Sequence, residues 1–121
     1  MARFRVSRQA NADLAQILAT SAERWGAEAR RRYAALLAAA MRKVAADPDG
    51  LATKARPDLA PGLRSLNIRD ARRDNPSLKV RSPVHVLYYR VAAPEVIEIV
   101  RVLHQRMEPS RHLRAASRLE D

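Results

Sequence analysis

The stretch "VIEIVRVLHQR" at residues 96–106 most constrains the fold, because it predicts a β-strand that is apolar on both faces. Successive side chains of a strand point to opposite sides of a sheet, so Glu98 and Arg101 lie on opposite faces, each among aliphatic neighbours. Such a strand is covered on both sides, where an unpaired charge is costly. We predict that Glu98 pairs with arginines of the facing strands and sets their register. Two interpretations of Arg101 remain open: a structural contact at the core edge, or a charge presented to a partner.

The other periodicities predict three more strands and two helices. Alternation of apolar and polar residues predicts strands at residues 2–7, 63–69 and 84–91. Apolar residues at three- and four-residue steps predict a helix that Ser7 caps and Trp25-Gly26 interrupts, then a second helix that ends at "DPDG", residues 47–50. Because the break is so short, the two helices turn back on each other. The expected fold class is α+β, ordered strand, helix, helix, three strands, with an antiparallel sheet packed on a helical hairpin and its other face free.

Two segments lie outside these elements. Residues 70–83 are polar, basic and too long for a tight hairpin, which predicts an exposed basic loop inserted into the domain. Residues 109–121 are expected to form a tail or a short helix. The domain itself is therefore expected to span residues 1–108.

Composition excludes several classes of function. A length of 121 residues suits one domain, and a formal charge of +10 favours nucleic acid, a ribosomal surface or an acidic protein as partner. The absence of cysteine excludes disulfides and thiolate catalysis, and the three histidines lack the spacing of a metal site. No apolar run is long enough to span a membrane, and the first residues lack the pattern of a signal peptide. We expect a cytoplasmic protein with no membrane association, metal or organic cofactor.

Three side chains carry alternatives that the sequence leaves open. Tyr88 and Tyr89 are adjacent in a strand, so one is expected beneath the helices and the other on the free face, where core or partner contact is favoured over stacking on RNA. His104 ends its strand, and a hydrogen bond to a nearby backbone group is favoured over proton transfer. Strand parity places His104 on the face opposite Arg101, which argues against a catalytic pair.

A family resemblance follows from the element order and three phrases of sequence. "PGLRSLNIR", "HVLYYRV" and "VIEIVRVLHQR", in a chain of this length, resemble the ParE/RelE superfamily of bacterial type II toxin–antitoxin systems over residues 2–108. The resemblance implies a toxin that a cognate antitoxin holds inactive. ParE-like members of the superfamily act on DNA gyrase, and RelE-like members cut messenger RNA on the ribosome. Because both activities share the fold, the fold does not choose between them.

The sequence favours a gyrase inhibitor without a catalytic centre, because no acid and base are spaced to meet. The alternatives are a ribosome-dependent mRNA endonuclease, and a non-toxic accessory in a complex of antitoxin and operator DNA. For an endonuclease, the resemblance points to basic, tyrosine and histidine side chains on the free sheet face: Arg64, Arg81, Arg90, Arg101, Tyr88 and His104.

The toxin interpretation also predicts two binding surfaces. The positive charge favours an acidic antitoxin segment, laid on apolar and basic positions of the first helix and the third strand: Leu14, Ile17, Leu18, Tyr88 and Arg90. The target is expected to contact four arginines of the basic loop and the last strand: Arg72, Arg73, Arg81 and Arg101.

Overall fold

A computed structural model of the chain describes residues 3–113, which form one sheet and the helices that cover it. The strands are β1 (Arg3–Val6), β2 (Lys54–Ala55), β3 (Arg64–Asn67), β4 (His85–Ala93) and β5 (Val96–His104). The helices are α1 (Arg8–Ala46), α2 (Arg69–Asp74) and a 3₁₀ turn (Pro76–Leu78). A helical turn at residues 109–113 closes the described part of the chain. The α+β fold predicted from the sequence is confirmed.

Helix α1 is a hairpin of two arms that meet at Gly26. Gly26 has φ 90° and ψ 174°, a conformation that only glycine adopts without strain. Ala10 and Ala40 belong to the same core cluster, whereas a straight helix would hold them roughly 45 Å apart at a rise of 1.5 Å per residue. The chain therefore reverses at Gly26, as the interrupted apolar pattern predicts.

The ends of α1 follow the predicted capping chemistry. The Ser7 hydroxyl accepts a hydrogen bond from the Ala10 amide at 3.0 Å, which satisfies one of the free amides of the first turn. The helix ends at Ala46, just before Pro48.

The strand order across the sheet is β1-β5-β4-β3-β2. The last three strands are antiparallel neighbours, with a short turn between β4 and β5 and the segment that holds α2 between β3 and β4, whereas β1 runs parallel to β5. The parallel pair differs from the wholly antiparallel sheet expected from the sequence. Nearly the whole chain separates β1 from β5, so the connection is long enough for the two strands to pair in either a parallel or an antiparallel direction.

A β-bulge in β5 overturns the simple parity predicted for that strand. Tyr88 pairs with Arg101 and Tyr89 pairs with Ile99, so Val100 is an extra residue in β5. Beyond the bulge the faces exchange: Val102 joins the core beneath the helices, and Leu103 joins the cluster on the opposite face. The bulge therefore places Glu98 and Arg101 on the same face, contrary to the prediction, whereas Arg101 and His104, both beyond the bulge, lie on opposite faces as predicted.

Hydrophobic side chains are buried on both faces of the sheet. The main core lies between the sheet and α1, and its largest fully buried members include Leu36, Leu37, Leu66, Leu87, Tyr89, Ile97 and Ile99. A smaller cluster on the other face contains Leu63, Tyr88, Val100, Leu103 and Leu113, with Leu59 and Ala60 packed against it.

The smaller cluster corrects the expectation of a free second face. Tyr88 was expected at the surface, but it is only 5% exposed because Leu113 and the link around Leu59 cover the middle of this face. Val91 pairs with the core residue Ile97 and so lies on the hairpin side of the sheet, yet it is 58% exposed at the far end of β4.

The segment 70–83, expected as an exposed loop, is largely folded against the domain. Ala71 of α2 is fully buried, and Leu78 and Val80 pack against the main core. Lys43 of α1 forms an ion pair with Asp74, which holds the segment to the second arm of the hairpin. The basic side chains, by contrast, project outward as expected: Arg73, Lys79 and Arg81 are exposed.

Within residues 3–113, no helix is both long enough and apolar enough to cross a membrane.

Candidate functional site

Glu98 is a buried carboxylate that holds the two strands beside it. Its oxygens accept hydrogen bonds from Arg90 of β4 at 2.9 Å and from Arg5 of β1 at 3.3 Å, and only 7% of the Glu98 side chain is exposed. Burial of a lone carboxylate would be costly, and two guanidinium groups offset that cost. The predicted register-setting role of Glu98 agrees with these contacts, which tie β1, β5 and β4 in one alignment.

Arg101 forms a buried ion pair with Asp13 of α1. Its Nε and Nη2 donate to the two Asp13 oxygens at 2.8 and 2.9 Å, and its Nη1 donates to the His112 carbonyl at 3.3 Å. The same carboxylate accepts the Val102 amide at 2.9 Å, beyond the point where β1 ends. Asp13 therefore satisfies a backbone amide of β5 that β1 does not pair. Of the two interpretations of Arg101, the structural contact at the core edge matches the observed hydrogen bonds.

Arg64 and Tyr89 anchor the turn that follows α1. Arg64 Nε and the Tyr89 hydroxyl both donate to the Pro48 carbonyl, at 2.9 and 2.6 Å. Arg64 also donates to the Thr53 hydroxyl at 2.7 Å and approaches Asp49 at 3.4 Å. The Arg64 guanidinium is thus occupied by the chain itself.

A cluster of Tyr33, His85 and His104 lies where β4 begins and β5 ends, and no sequence pattern predicted it. The Tyr33 hydroxyl accepts the Val84 amide at 3.1 Å and shares a hydrogen bond with His85 Nδ1, 2.6 Å away. His85 and His104 are directly paired across the strands, with ring centroids 5.6 Å apart. Only the register of β4 on β5, together with the hairpin, brings these residues together, because they are far apart in sequence.

The environment of this cluster keeps His85 neutral. Burial and, to a smaller extent, the neighbouring His104 lower the pKa of His85 to about 4, while Asp13 acts in the opposite direction. His104 accepts the Arg106 amide at its Nδ1, 3.0 Å away, which is the backbone contact predicted for it. Burial also raises the pKa of Tyr33. The contacts of Tyr33 and His85 join the second arm of α1 to β4.

The residues predicted to bind an antitoxin do not form one surface. Leu14, Ile17 and Leu18 pack, half-buried, against the main core beneath the hairpin. Tyr88 is buried on the other side of the sheet, where its hydroxyl meets Arg56. Arg90 lies beyond Tyr88 on that second face, partly exposed, with its guanidinium on Glu98.

The four arginines predicted to contact a target divide into two pairs. Arg73 and Arg81 have exposed side chains. Arg72 folds back onto the carbonyls of Val80 and Arg81, and Arg101 is held by Asp13. Only the first pair faces outward in full.

The six residues considered for RNA cleavage likewise do not converge. Three of the arginines bind groups of the chain itself, Tyr88 is buried, and His104 lies beside His85 at the opposite end of β4 from Arg90. No cluster of three or more histidine, aspartate or glutamate side chains that could hold a metal occurs in residues 3–113.

An open groove lies at the Arg90 end of β4, beside the link that follows β2. Its volume is about 510 Å³, and its walls are formed by Asp49, Ala55, Pro57, Pro61, Gly62, Leu63, Arg64, Arg90 and Val91. Proline and aliphatic side chains form most of the lining, and two arginines stand at the edge. Such a groove suits an extended or helical peptide that carries apolar and acidic side chains.

Fold and groove together define a small α+β domain with an open groove at one end of its sheet. Residues 4–109 match the family described as the ParE toxin of the parDE type II toxin–antitoxin system. The chain is 36% identical over 113 residues to a Toxin ParE1 of Caulobacter vibrioides, covering 93% of this chain and 99% of the relative. It is 32% identical over 111 residues to a Toxin ParE1 of Mycobacterium tuberculosis, covering 92% and 97% of the two chains.

The chain belongs to the ParE toxin family of type II toxin–antitoxin systems. Membership of this family implies a protein antitoxin as partner.

Proposed function

We propose that this toxin inhibits DNA gyrase through protein contacts and that a cognate acidic antitoxin neutralises it. One observation carries the choice of a non-catalytic mechanism: three of the four arginines considered for an RNA-cleaving site are bound to carboxylates and carbonyls of the chain itself. Arg90 and Arg101 are paired with Glu98 and Asp13, and Arg64 is bound to the turn after α1. A guanidinium in such contacts is poorly placed to stabilise a developing phosphorane charge.

The second candidate, a ribosome-dependent mRNA endonuclease, has the imidazole pair of His85 and His104 in its favour. Two adjacent imidazoles can serve as base and acid when one is neutral and the other is protonated. Here His85 has its Nδ1 committed to Tyr33, and its pKa of about 4 is far from the value that suits a general base near neutral pH. We therefore rank this function second.

The antitoxin is proposed to occupy the groove beside Arg90 and Val91. Val91 is an exposed apolar residue at the mouth of the groove, and the net charge of +10 favours an acidic peptide. In this proposal the antitoxin contacts Arg90, as the sequence predicted. A second contact of the antitoxin is proposed on the first arm of the hairpin, at the half-buried residues Leu14, Ile17 and Leu18.

Two assays with the purified toxin separate the two candidate functions. Inhibition of gyrase supercoiling with accumulation of cleaved DNA, reversed by the antitoxin, is the expected result. The parallel assay is a translation extract in which messenger ends are mapped by primer extension. Ribosome-dependent cuts in the messenger, together with unaffected supercoiling, would overturn the proposal.

A further inference from the structure

We propose that the folded segment 69–81 is a DNA-backbone contact, which grips phosphates without reading bases. This inference deepens the proposed function and rests on it, because a gyrase inhibitor acts where gyrase holds duplex DNA. The segment carries five basic residues against two acidic ones. Four of its cations have exposed side chains: Arg69, Arg73, Lys79 and Arg81. These four are called the basic patch below.

The patch differs from the arginines of the sheet because its side chains are not used by the fold. Across residues 3–113, the sheet arginines at positions 5, 64, 90 and 101 each contact a carboxylate of the chain. No side-chain hydrogen bond or ion pair within this part of the chain holds the four patch cations. Asp74, one of the two acids nearby, is neutralised by Lys43. The charge of the patch is therefore available to an anion outside the chain.

Internal contacts hold the patch in shape. Arg72 donates to the carbonyls of Val80 and Arg81, which draws the end of the segment against α2. The Asn75 side chain donates to the Ala71 carbonyl at 2.8 Å and so caps the C-terminal end of α2. These contacts place Arg81 close to α2, and Arg69 and Arg73 lie one helical turn apart on the same side of α2. The cations are thus presented together on a braced element.

The chemistry of the surface favours phosphate over a protein partner. Protein interfaces need a central group of aromatic or aliphatic side chains, and the apolar residues of this segment, Ala71, Leu78 and Val80, turn inward to the core. Two exposed hydroxyls, those of Ser77 and Ser82, lie near the cations in sequence, together with Pro76 and the Asp74 carboxylate that Lys43 pairs. Guanidinium, ammonium and hydroxyl donors are the groups that proteins use on the sugar-phosphate backbone.

The test measures binding of the purified toxin to a fluorescent duplex of random sequence over a range of salt concentrations. The patch variant is Arg73→Gln/Lys79→Gln/Arg81→Gln. The matched control is Arg8→Gln/Arg24→Gln/Arg30→Gln, which removes the same charge from helix α1. These three arginines are exposed, and their side chains have no hydrogen-bond or ion-pair partner in residues 3–113. Because neither set of side chains supports the fold, both variants should melt at the temperature of the unchanged toxin.

The patch variant should bind DNA at least about tenfold more weakly, and the slope of log affinity against log salt should fall by about 2 to 3, since each lost phosphate contact removes about 0.9. The control should stay within about threefold of the unchanged toxin. An equal loss in both variants would show that net charge alone acts and would overturn the proposal. Single-stranded RNA of equal length, if it competes at least about tenfold better than the duplex, would also overturn the assignment to DNA.

A gyrase cleavage assay on the same proteins distinguishes failure of this inference from failure of the proposed function. Patch-specific loss of DNA binding in a toxin that never traps cleaved DNA would reject gyrase inhibition and leave the DNA contact in place. Trapping by the patch variant that equals trapping by the control would reject the contact and leave gyrase inhibition in place.

Discussion

Individual residues of this toxin show how charges can be buried at the edge of a small core. Asp13 accepts hydrogen bonds from Arg101 Nε and Nη2 and from the Val102 amide. One carboxylate therefore forms an ion pair and also satisfies a backbone amide at the edge of the sheet. About 85% of each partner's side chain is removed from solvent, since only 15% of Arg101 and 14% of Asp13 remains exposed. Loss of one partner of such a pair leaves the other charge buried and uncompensated.

Replacement of Asp13 by alanine should lower the free energy of unfolding by about 3 kcal/mol, because it strands Arg101 and the Val102 amide. Urea denaturation measures the effect. Asp58→Ala is the control, because its ion pair with Arg56 is at the surface and should contribute about 1 kcal/mol or less. A loss below about 1 kcal/mol for Asp13→Ala would mean that water reaches Arg101 freely.

His85 should make the stability of the toxin depend on pH in a defined window. Its pKa falls from 6.5 to about 4 on folding, so the unfolded chain binds the proton more tightly than the folded one. Its contribution to stability is therefore complete above pH 6.5 and is lost as pH falls from 6.5 towards 4. Melting temperatures across this range check the direction, and an NMR titration of the His85 ring checks the pKa.

The His85→Phe variant, which keeps a ring but cannot titrate, should show a weaker pH dependence than the unchanged toxin between pH 6.5 and 4.5. Because carboxylates also titrate near the lower limit, the difference between the two proteins is the relevant quantity. Identical pH profiles would contradict a depressed pKa for His85.

At the scale of elements, the helical hairpin depends on Gly26, and the sheet depends on pairings across the chain. The interrupted apolar pattern at Trp25-Gly26 was enough to predict the hairpin, because helical periodicity and glycine are local signals. The bulge at Val100 and the parallel pairing of β1 with β5 carried no local signal. They follow from how distant strands align, and so the predicted faces of β5 were wrong beyond Val100.

Substitution of Gly26 by alanine should destabilise the toxin by about 1 to 3 kcal/mol, the cost of a non-glycine residue in this backbone region. No atom lies within 4 Å of the Cβ that alanine would add, so the effect arises from the backbone and not from a clash. Thermal unfolding measures it, with the exposed Glu23→Ala as control. A neutral result would indicate that the turn adopts another conformation without cost.

For the whole molecule, the two faces of the sheet have different uses. The hairpin covers most of one face, and the chain's own link and Leu113 cover the middle of the other, which leaves the groove at Arg90 and Val91 as an accessible end of the sheet. The sequence anticipated a partner on this second face. It could not predict that Leu113 packs in the same cluster as Tyr88, because this contact is set by tertiary packing.

The Val91→Asp variant tests the proposed antitoxin groove. A carboxylate there would meet an acidic, partly apolar peptide and should weaken antitoxin binding at least about tenfold, or about 1.4 kcal/mol. The control is Leu51→Asp, because Leu51 is another exposed aliphatic residue, at 107% against 58% for Val91. Isothermal titration of each variant with the cognate antitoxin provides the measurement. Equal affinities for the two variants would place the antitoxin elsewhere.

The amino-acid sequence alone determined the helical hairpin and the strands β1, β3, β4 and β5 of this toxin, their order and its family, because periodicity, caps and turn residues act between neighbours along the chain. It also placed the basic residues of segment 70–83 outside the core, since a run of charges cannot be buried cheaply. Tertiary structure alone decided which arginines remain free, because Asp13, Glu98 and the carbonyl of Pro48 reach their partners only across the sheet. An arginine that lies close to a carboxylate of the chain pairs with it and is not available to an external anion. Which arginines lie so close depends on distances in the folded chain, and the order of residues does not specify them.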